Sequence, residues 1–338
     1  MQATSGAGIH EPGLLPTPVR FDASDAVRAA LTGIGRTEDI RFSPDNRFLA
    51  IAGFLAKKCL LLRIAIAHEA SGVVVRADEF VEVTSDGISE VHGIDFIDRR
   101  TLAVANRNAK VAVVLLPDGV PEGRQYRAQV LRHLRGGPFC RIKTPGSVAV
   151  RRLRGGQVAL LVCNNYAHRV TRHVVVPRLG YLNWHNHILL KQGLDIPDGI
   201  AVSGDGRWIA VSSHATRDVK IFDAATPLGP DARPAGVLRE ANYPHGLRFT
   251  PDDRHILVAD AASPNVHVYE RGRSWAGPRD AIRKVAVLDR TTFLRGHNNP
   301  EEGGPKGLDI DRTGTVLATT CEECALAFFT VSSVLGVT

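Results

Sequence analysis

The chain has 338 residues, of which 44% are apolar and 23% charged, with a net charge of +7; that is enough apolar sequence to bury one large core or two modest ones, and it excludes an intrinsically disordered chain. No run approaches the roughly 18 to 20 apolar residues of a membrane-spanning helix, and Met1–Pro18 lacks the basic and apolar regions of an export signal, so a soluble protein with no membrane partner is expected. Cys59, Cys140, Cys163, Cys321 and Cys324 make an odd count in a large chain, which argues against a secreted disulfide framework and for a cytoplasmic location.

The basic balance raises the question of nucleic acid, especially between Arg127 and Arg154. Those residues are spread over several predicted strands, stacking aromatics are sparse and no nucleic-acid motif is present, so nucleic acid is not an expected partner.

Taken in chain order, residues 1–23 read as an N-terminal extension and 24–338 as a single domain. The segment DAVRAALTGIGRTEDI aligns by position with HILLKQGLDIPDGI further on, which predicts a strand over Ala26–Leu31. From Glu38 one phrase then recurs six times, beginning at Glu38 (EDIRFSPDNRFLAIAG), His92, Gly146, Asp198 (DGIAVSGDGRWIAVSSH), His245 and Lys306. Each copy is an alternating strand, a polar turn such as SPDN, SGDG or TPDD, and a second apolar strand, which is hairpin chemistry. A third apolar run follows in every copy (CLLLRI, VAVVLL, VTRHVVV, VKIFD, VHVYE, ALAFFTV), and a fourth in five of them. Successive copies begin 47 to 61 residues apart. Four antiparallel strands per repeat, six times over, predict an all-β six-bladed propeller, with the N-terminal strand completing the last blade and so closing the ring.

In such a ring the innermost strands run along a central channel. The residue before the first buried apolar position of each copy therefore stands at one mouth: Glu38, His92, Gly146, Asp198, His245 and Lys306. The loop after each second strand opens on the same face and adds Gly53 and Phe54, Asn106 and Arg107, Asn164 and Asn165, Ser213 and His214, Asp260, and Thr320 with Cys321. Two carboxylates and two imidazoles about one axis are a plausible divalent-metal set, so Glu38, His92, Asp198 and His245 are the expected ligands of calcium, zinc, manganese or iron. Lys306 belongs to the phrase RGHNNPEEGGPKGL, whose acidic pair Glu301 and Glu302 sits in a long connection that can fold over the mouth. Lys306, Glu302 and His245 are the expected catalytic groups; Asn106, Arg107, Asn164, His214 and Asp260 the expected substrate contacts. Cys321-Glu-Glu-Cys324 lacks the second cysteine pair of a zinc ribbon and the βαβ setting of a thioredoxin-like motif, and reads as a loop coincidence.

The phrase PDGIAVSGDGRWIAV resembles the segment of the gluconolactonase, or regucalcin-like, propellers in which the Asp of P-D-G binds a divalent cation. That resemblance implies Asp198 and Glu38 as ligands; the chain departs from it by carrying Gly146 where the family has an Asn ligand. The phrase P-H-G-L, Pro244–Leu247, is similar to NHL and YVTN propellers (YncE-like, lactonase-type), some of whose lyases hold a metal with channel histidines. The resemblance implies a metal-dependent enzyme acting on a small polar metabolite, with lactone or ester hydrolysis first. A lyase, isomerase or cyclase using channel acid and base groups, and a non-catalytic ligand- or protein-binding propeller, are the alternatives, because one fold hosts unrelated activities.

Overall fold

The computed structural model describes residues 14–337 except 109, 136–140 and 300; Cys140 and the first part of the N-terminal extension lie outside the described residues. The six recurring phrases fold into six mainly antiparallel blades arranged as a six-bladed β-propeller. Their innermost strands are Thr37–Phe42, Val91–Asp98, Pro145–Arg152, Pro197–Val202, Pro244–Phe249 and Gly307–Ile310.

The turn chemistry works as the sequence suggests. In SPDN, SGDG and TPDD the first hydroxyl donates to the Asp two residues on, Ser43 to Asp45, Ser203 to Asp205 and Thr250 to Asp252, each at 2.6 Å. The residue after that Asp then turns left-handed, with φ of 55° at Asn46, 71° at Gly206 and 57° at Asp253, a conformation that Asn, Asp and Gly tolerate best.

Alternation along the strands sends successive side chains to opposite faces of each blade. On the second strand of blade one, Leu49 and Ile51 face the seam with blade six, while Ala50 and Ala52 face the seam with blade two. Each seam thus owns one buried apolar cluster, and the ring has six of them.

Closure of the ring differs in place from the expectation. Residues 25–34 are a helix, not a strand: Ser24 caps it by accepting from the Val27 amide at 3.3 Å, and Val27, Ala30 and Ile34 bury one face in the seam between blades six and one. Their three-and-four spacing is helical, and alignment by position in the repeat overrode it. The strand-like closure lies earlier, at Thr17–Val19. Pro18 bridges Phe329, the Val19 amide donates to Phe328 O at 2.9 Å, and the Thr330 amide donates to Thr17 O at 3.1 Å. Leu14 likewise pairs with Val285 of blade five, and Arg20–Ala23 runs parallel to the outer strand of blade one. The described part of the extension is therefore built into the propeller.

Candidate functional site at one channel mouth

Five of the six inner strands slip register at their entrance, between Thr37 and Ile40, Val91 and Gly93, Pro145 and Val148, Pro197 and Ile200, and Pro244 and Leu247. A bulge re-aims the side chain it carries, and here it carries Glu38, His92, Gly146, Asp198 and His245. The glycines beside them let adjacent blades approach: a Cβ on Gly199 would lie 2.1 Å from His245 O, and one on Gly246 2.5 Å from Lys306 O. In blade six the Lys306 amide instead donates to Thr320 O at 2.8 Å, which fixes that residue at the ring's rim.

The structure brings the four expected metal ligands together, each at most 4% exposed. Glu38 Oε2 lies 3.7 Å from Nε2 of His92 and 3.7 Å from Nε2 of His245. His245 Nε2 is 3.2 Å from Asp198 Oδ2, and His92 Nδ1 is 3.9 Å from Asp198 Oδ1. His214 joins from the loop of blade four, with Nε2 3.8 Å from Asp198 Oδ2. Two overlapping triads result, Glu38–His92–His245 and Asp198–His214–His245, and in each the candidate donor atoms lie within 4.8 Å of one another. Glu38 Oε2 and His214 Nε2 are buried and have no hydrogen-bond partner among the described residues. The rings are held by stacking: His92 on His245 at 5.6 Å between centroids, and His214 on Tyr243 at 3.9 Å.

A second cluster adjoins the first. Lys306, fully buried, points Nζ at Glu302 Oε2 (2.8 Å), Glu322 Oε2 (3.3 Å) and Glu38 Oε1 (3.5 Å), while the Arg36 guanidinium pairs with Glu38 and lies 3.7 Å from Glu302. The long connection before Lys306 does fold over the mouth. Its Gly304 packs so closely on blade five that a Cβ would lie 1.9 Å from Ser263 O.

These contacts set the charge states. Burial would raise Glu38 and Asp198, but it is outweighed: Lys306, His92, Arg36 and His245 hold Glu38 well below the usual carboxylate range, and His245, His92, His214 and Arg107 do the same for Asp198. Burial pushes His92 and His214 down to about 4 despite the nearby carboxylates, so both rings are neutral at pH 7. Burial would also lower Lys306, but Glu38 and Glu302 hold it above its ordinary value as an ammonium.

Other expected site residues are engaged elsewhere. Asn106 accepts from the Ser89 amide (2.8 Å) and donates to Gly87 O (2.9 Å). Asn164 accepts from the Lys143 amide (2.7 Å) and donates to Val162 O and Thr171 Oγ1. Asp260 accepts from the Tyr243 amide (2.8 Å) and the Ser263 hydroxyl (2.9 Å) and faces His267 at 3.4 Å. Each ends the second strand of its blade and pins the loop that leads into the inner strand. Arg107, by contrast, does reach the mouth, donating to Asn165 Oδ1 at 2.5 Å.

Asn165, expected on this face from sequence, does reach the site, and three further neighbours were not singled out from sequence: Arg36, Tyr243 and Glu322. Tyr243 directly precedes the P-H-G-L phrase. Glu322 is the first acid of Cys-Glu-Glu-Cys, whose thiols form no disulfide; burial pushes Cys321 up to about 12, and the turn, closed by Cys321 N to Cys324 O at 2.9 Å, aims Glu322 at Lys306.

No protein-family model matches the chain, and no curated protein matches it by sequence. Solved structures do match in fold. A functionally unknown protein from Desulfotomaculum acetoxidans is 12% identical with a TM-score of 0.57, covering 88% of this chain and 83% of that one. The hydrazine synthase of Kuenenia stuttgartiensis is 16% identical with a TM-score of 0.55, covering 98% and 82%. A protein from Bacteroides uniformis described as a candidate 6-phosphogluconolactonase is 13% identical with a TM-score of 0.53, covering 83% and 77%. At these identities the likeness is one of fold.

Proposed function

We propose that this mouth is a divalent-cation site at which a small polar metabolite with an electrophilic carbonyl, in the first instance a lactone or ester, is hydrolysed. The observation that carries the reading is Glu38 Oε2, a buried carboxylate oxygen with no hydrogen-bond partner among the described residues, 3.7 Å from the Nε2 atoms of both His92 and His245. Leaving such an atom unsatisfied costs about 1–3 kcal/mol or more, and a cation shared by these donors would remove that cost. Imidazole with carboxylate suits zinc, manganese or iron better than calcium, which takes oxygen ligands. Glu38, His92, Asp198 and His245 would hold the ion, with His214 at its side; when bound it would supply Lewis acidity toward a carbonyl oxygen and a lowered pKa for water.

The chain's own groups divide the remaining work. His214, with Nε2 unpartnered and its ring plane fixed by Tyr243, is in the geometry to accept a hydrogen bond from the attacking water and to relay its proton to the departing alkoxide. Lys306 remains an ammonium; it suits the stabilisation of developing negative charge better than proton acceptance, and Glu302 keeps it in place. Arg107, at the rim, is placed to orient an anionic substituent of the substrate. The Bacteroides protein described as a candidate 6-phosphogluconolactonase shares the fold and carries the same reaction class in its name.

The test is elemental analysis of purified, undialysed protein beside the double variant His92→Ala, His245→Ala. Near-stoichiometric zinc, manganese or iron in the wild type, lost from the variant, supports the cation site and directs a lactone and ester screen in that metal. A wild type that stays metal-free after soaking overturns it, and leaves acid and base chemistry or simple ligand binding as the use of the mouth.

A further inference from the structure

The inner strands continue past the histidine cluster to a second, separate concentration of charge. Arg41 and Arg248 lie three residues beyond Glu38 and His245 on their strands, roughly 10 Å further along the channel. With Arg152, Arg312, Asp95 and Asp309 they line a cavity of about 330 Å³ toward the opposite mouth, in the range of small-ligand sites.

The aspartates there are already occupied as clasps between blades. Asp39 accepts from the Ile94 amide (3.0 Å), Asp95 from the Val150 amide (2.7 Å) and Asp309 from the Phe42 amide (2.8 Å), so each fastens its blade to the next. Three of the arginines use part of their forks on the same groups: Arg41 on Asp39, Arg248 Nε on Asp309 Oδ1 at 3.1 Å, and Arg312 Nη2 on Asp309 Oδ2 at 3.5 Å. Arg248 Nη2 is buried with no hydrogen-bond partner among the described residues, while Arg152 and Arg312 reach in from the rim, Nη2 of Arg152 donating to Ile97 O at 2.9 Å and Nη2 of Arg312 to Phe42 O, which leaves the rest of each fork for a ligand. Burial also holds Asp95 up at about 6, despite Arg41, so part of the negative charge near the arginines is discharged just below neutral pH. The result is a cavity with four guanidiniums around it, whose carboxylates are committed to main-chain amides.

We propose that this second cavity is a phosphoryl-binding site, gripping the dianionic group of inorganic phosphate or of a small phosphate monoester between Arg41, Arg152, Arg248 and Arg312. Guanidinium forks match phosphate oxygens in pairs, and the four arginines outnumber Asp39, Asp95 and Asp309 by one, so the cavity keeps a net positive charge for a phosphate monoester, which carries about −1.5 to −2 charges at pH 7. A bare ion fills only part of the cavity, so the volume leaves room for the carbon skeleton of a monoester beside Phe96 and Pro44.

The experiment is isothermal titration calorimetry on the full chain after metal removal, with inorganic phosphate, glycerol 1-phosphate and succinate as probes. Saturable one-site binding of a phosphoryl probe is expected, weakened at least about tenfold by Arg248→Met. Because Arg248 also holds Asp309, Arg152→Met at the exposed rim is the second variant, with the same direction expected. The double variant His92→Ala, His245→Ala should bind phosphate as the wild type does, which separates this site from the cation site. Tighter binding of glycerol 1-phosphate than of phosphate assigns the natural ligand to the monoesters, and the reverse order to the free ion. No saturable binding of either phosphoryl probe at millimolar concentration, binding of succinate alone, or phosphate binding unchanged in both arginine variants would each overturn the proposal.

Discussion

Asn165 reaches across the empty face of Gly146 to donate to Asp198 Oδ1 at 2.6 Å. Blade three contributes no ligand of its own at its bulge; the amide from its neighbouring loop fills that place, held from the other side by Arg107. A Cβ on Gly146 would stand 2.5 Å from Asn165 Oδ1 and 2.7 Å from Asp198 Oδ1. Gly146→Ala is therefore expected to displace Asn165 and destabilise the protein by about 1–3 kcal/mol, the usual cost of overpacking. Chemical denaturation checks this, and an unchanged midpoint would mean that the amide does not brace the site.

Lys306 is the only cation of its cluster that is fully buried, and it faces three carboxylates. Replacing it by Met leaves Glu38, Glu302 and Glu322 to repel one another around a lost countercharge. Lys306→Met should cost about 3–5 kcal/mol, the range for breaking one side of a buried ion pair. Adding Glu38→Gln to it should recover part of that loss, and a double variant no more stable than the single one would show that Lys306 acts through packing alone.

How much of this was readable beforehand follows from what each feature depends on. The blades were legible because hairpin turns and period-two alternation are local, and the ring positions of Glu38, His92, Asp198 and His245 followed because every copy shares one phase. The helix Asp25–Ile34 was also legible, in the spacing of Val27, Ala30 and Ile34, but a positional alignment hid it. Asn106, Asn164 and Asp260 stand on the right face, yet the sequence does not say where a polar group spends its hydrogen bonds; theirs go to main chain and, for Asn164 and Asp260, also to the Thr171 and Ser263 hydroxyls. Arg36, Tyr243 and Glu322 come from connections between strands, and only the closed ring brings them beside residues tens to hundreds of positions away.

The two neutral histidines give stability a defined pH dependence. His92 and His214 titrate near 4 in the folded protein, against an ordinary value of 6.5. Between those values the unfolded chain binds more protons, so their contribution is complete above about pH 6.5 and is lost as pH falls toward 4, on the order of 3 kcal/mol per ring. Asp39 and Asp95, held up at about 6, act in the opposite sense, since there the folded state binds more protons and gains as pH falls through 6. The clean measurement is thus a difference. The variant His92→Gln, His214→Gln should lose less stability than the wild type between pH 7 and pH 4.5 in urea titrations, and parallel curves would show that these rings titrate normally.

The N-terminal strap makes the last prediction. Thr17 O accepts from the Thr330 amide and Leu14 O from the Ala286 amide, so residues 14–19 tie the outer edges of blades five and six, and Val19, 6% exposed, is buried in the seam where the ring closes. Deleting residues 1–19 removes these bonds, at about 1 kcal/mol net each, together with one buried Val at about 1.5–3 kcal/mol. The expected cost is about 3–5 kcal/mol, with hydrogen exchange rising first at the Thr330 and Ala286 amides. A closed ring transmits a broken seam to all its blades, because no blade buries both faces without its two neighbours. If those two amides kept their protection in the truncated chain, the seam would be held by the helix Asp25–Ile34 and side-chain packing alone, and the strap would be dispensable.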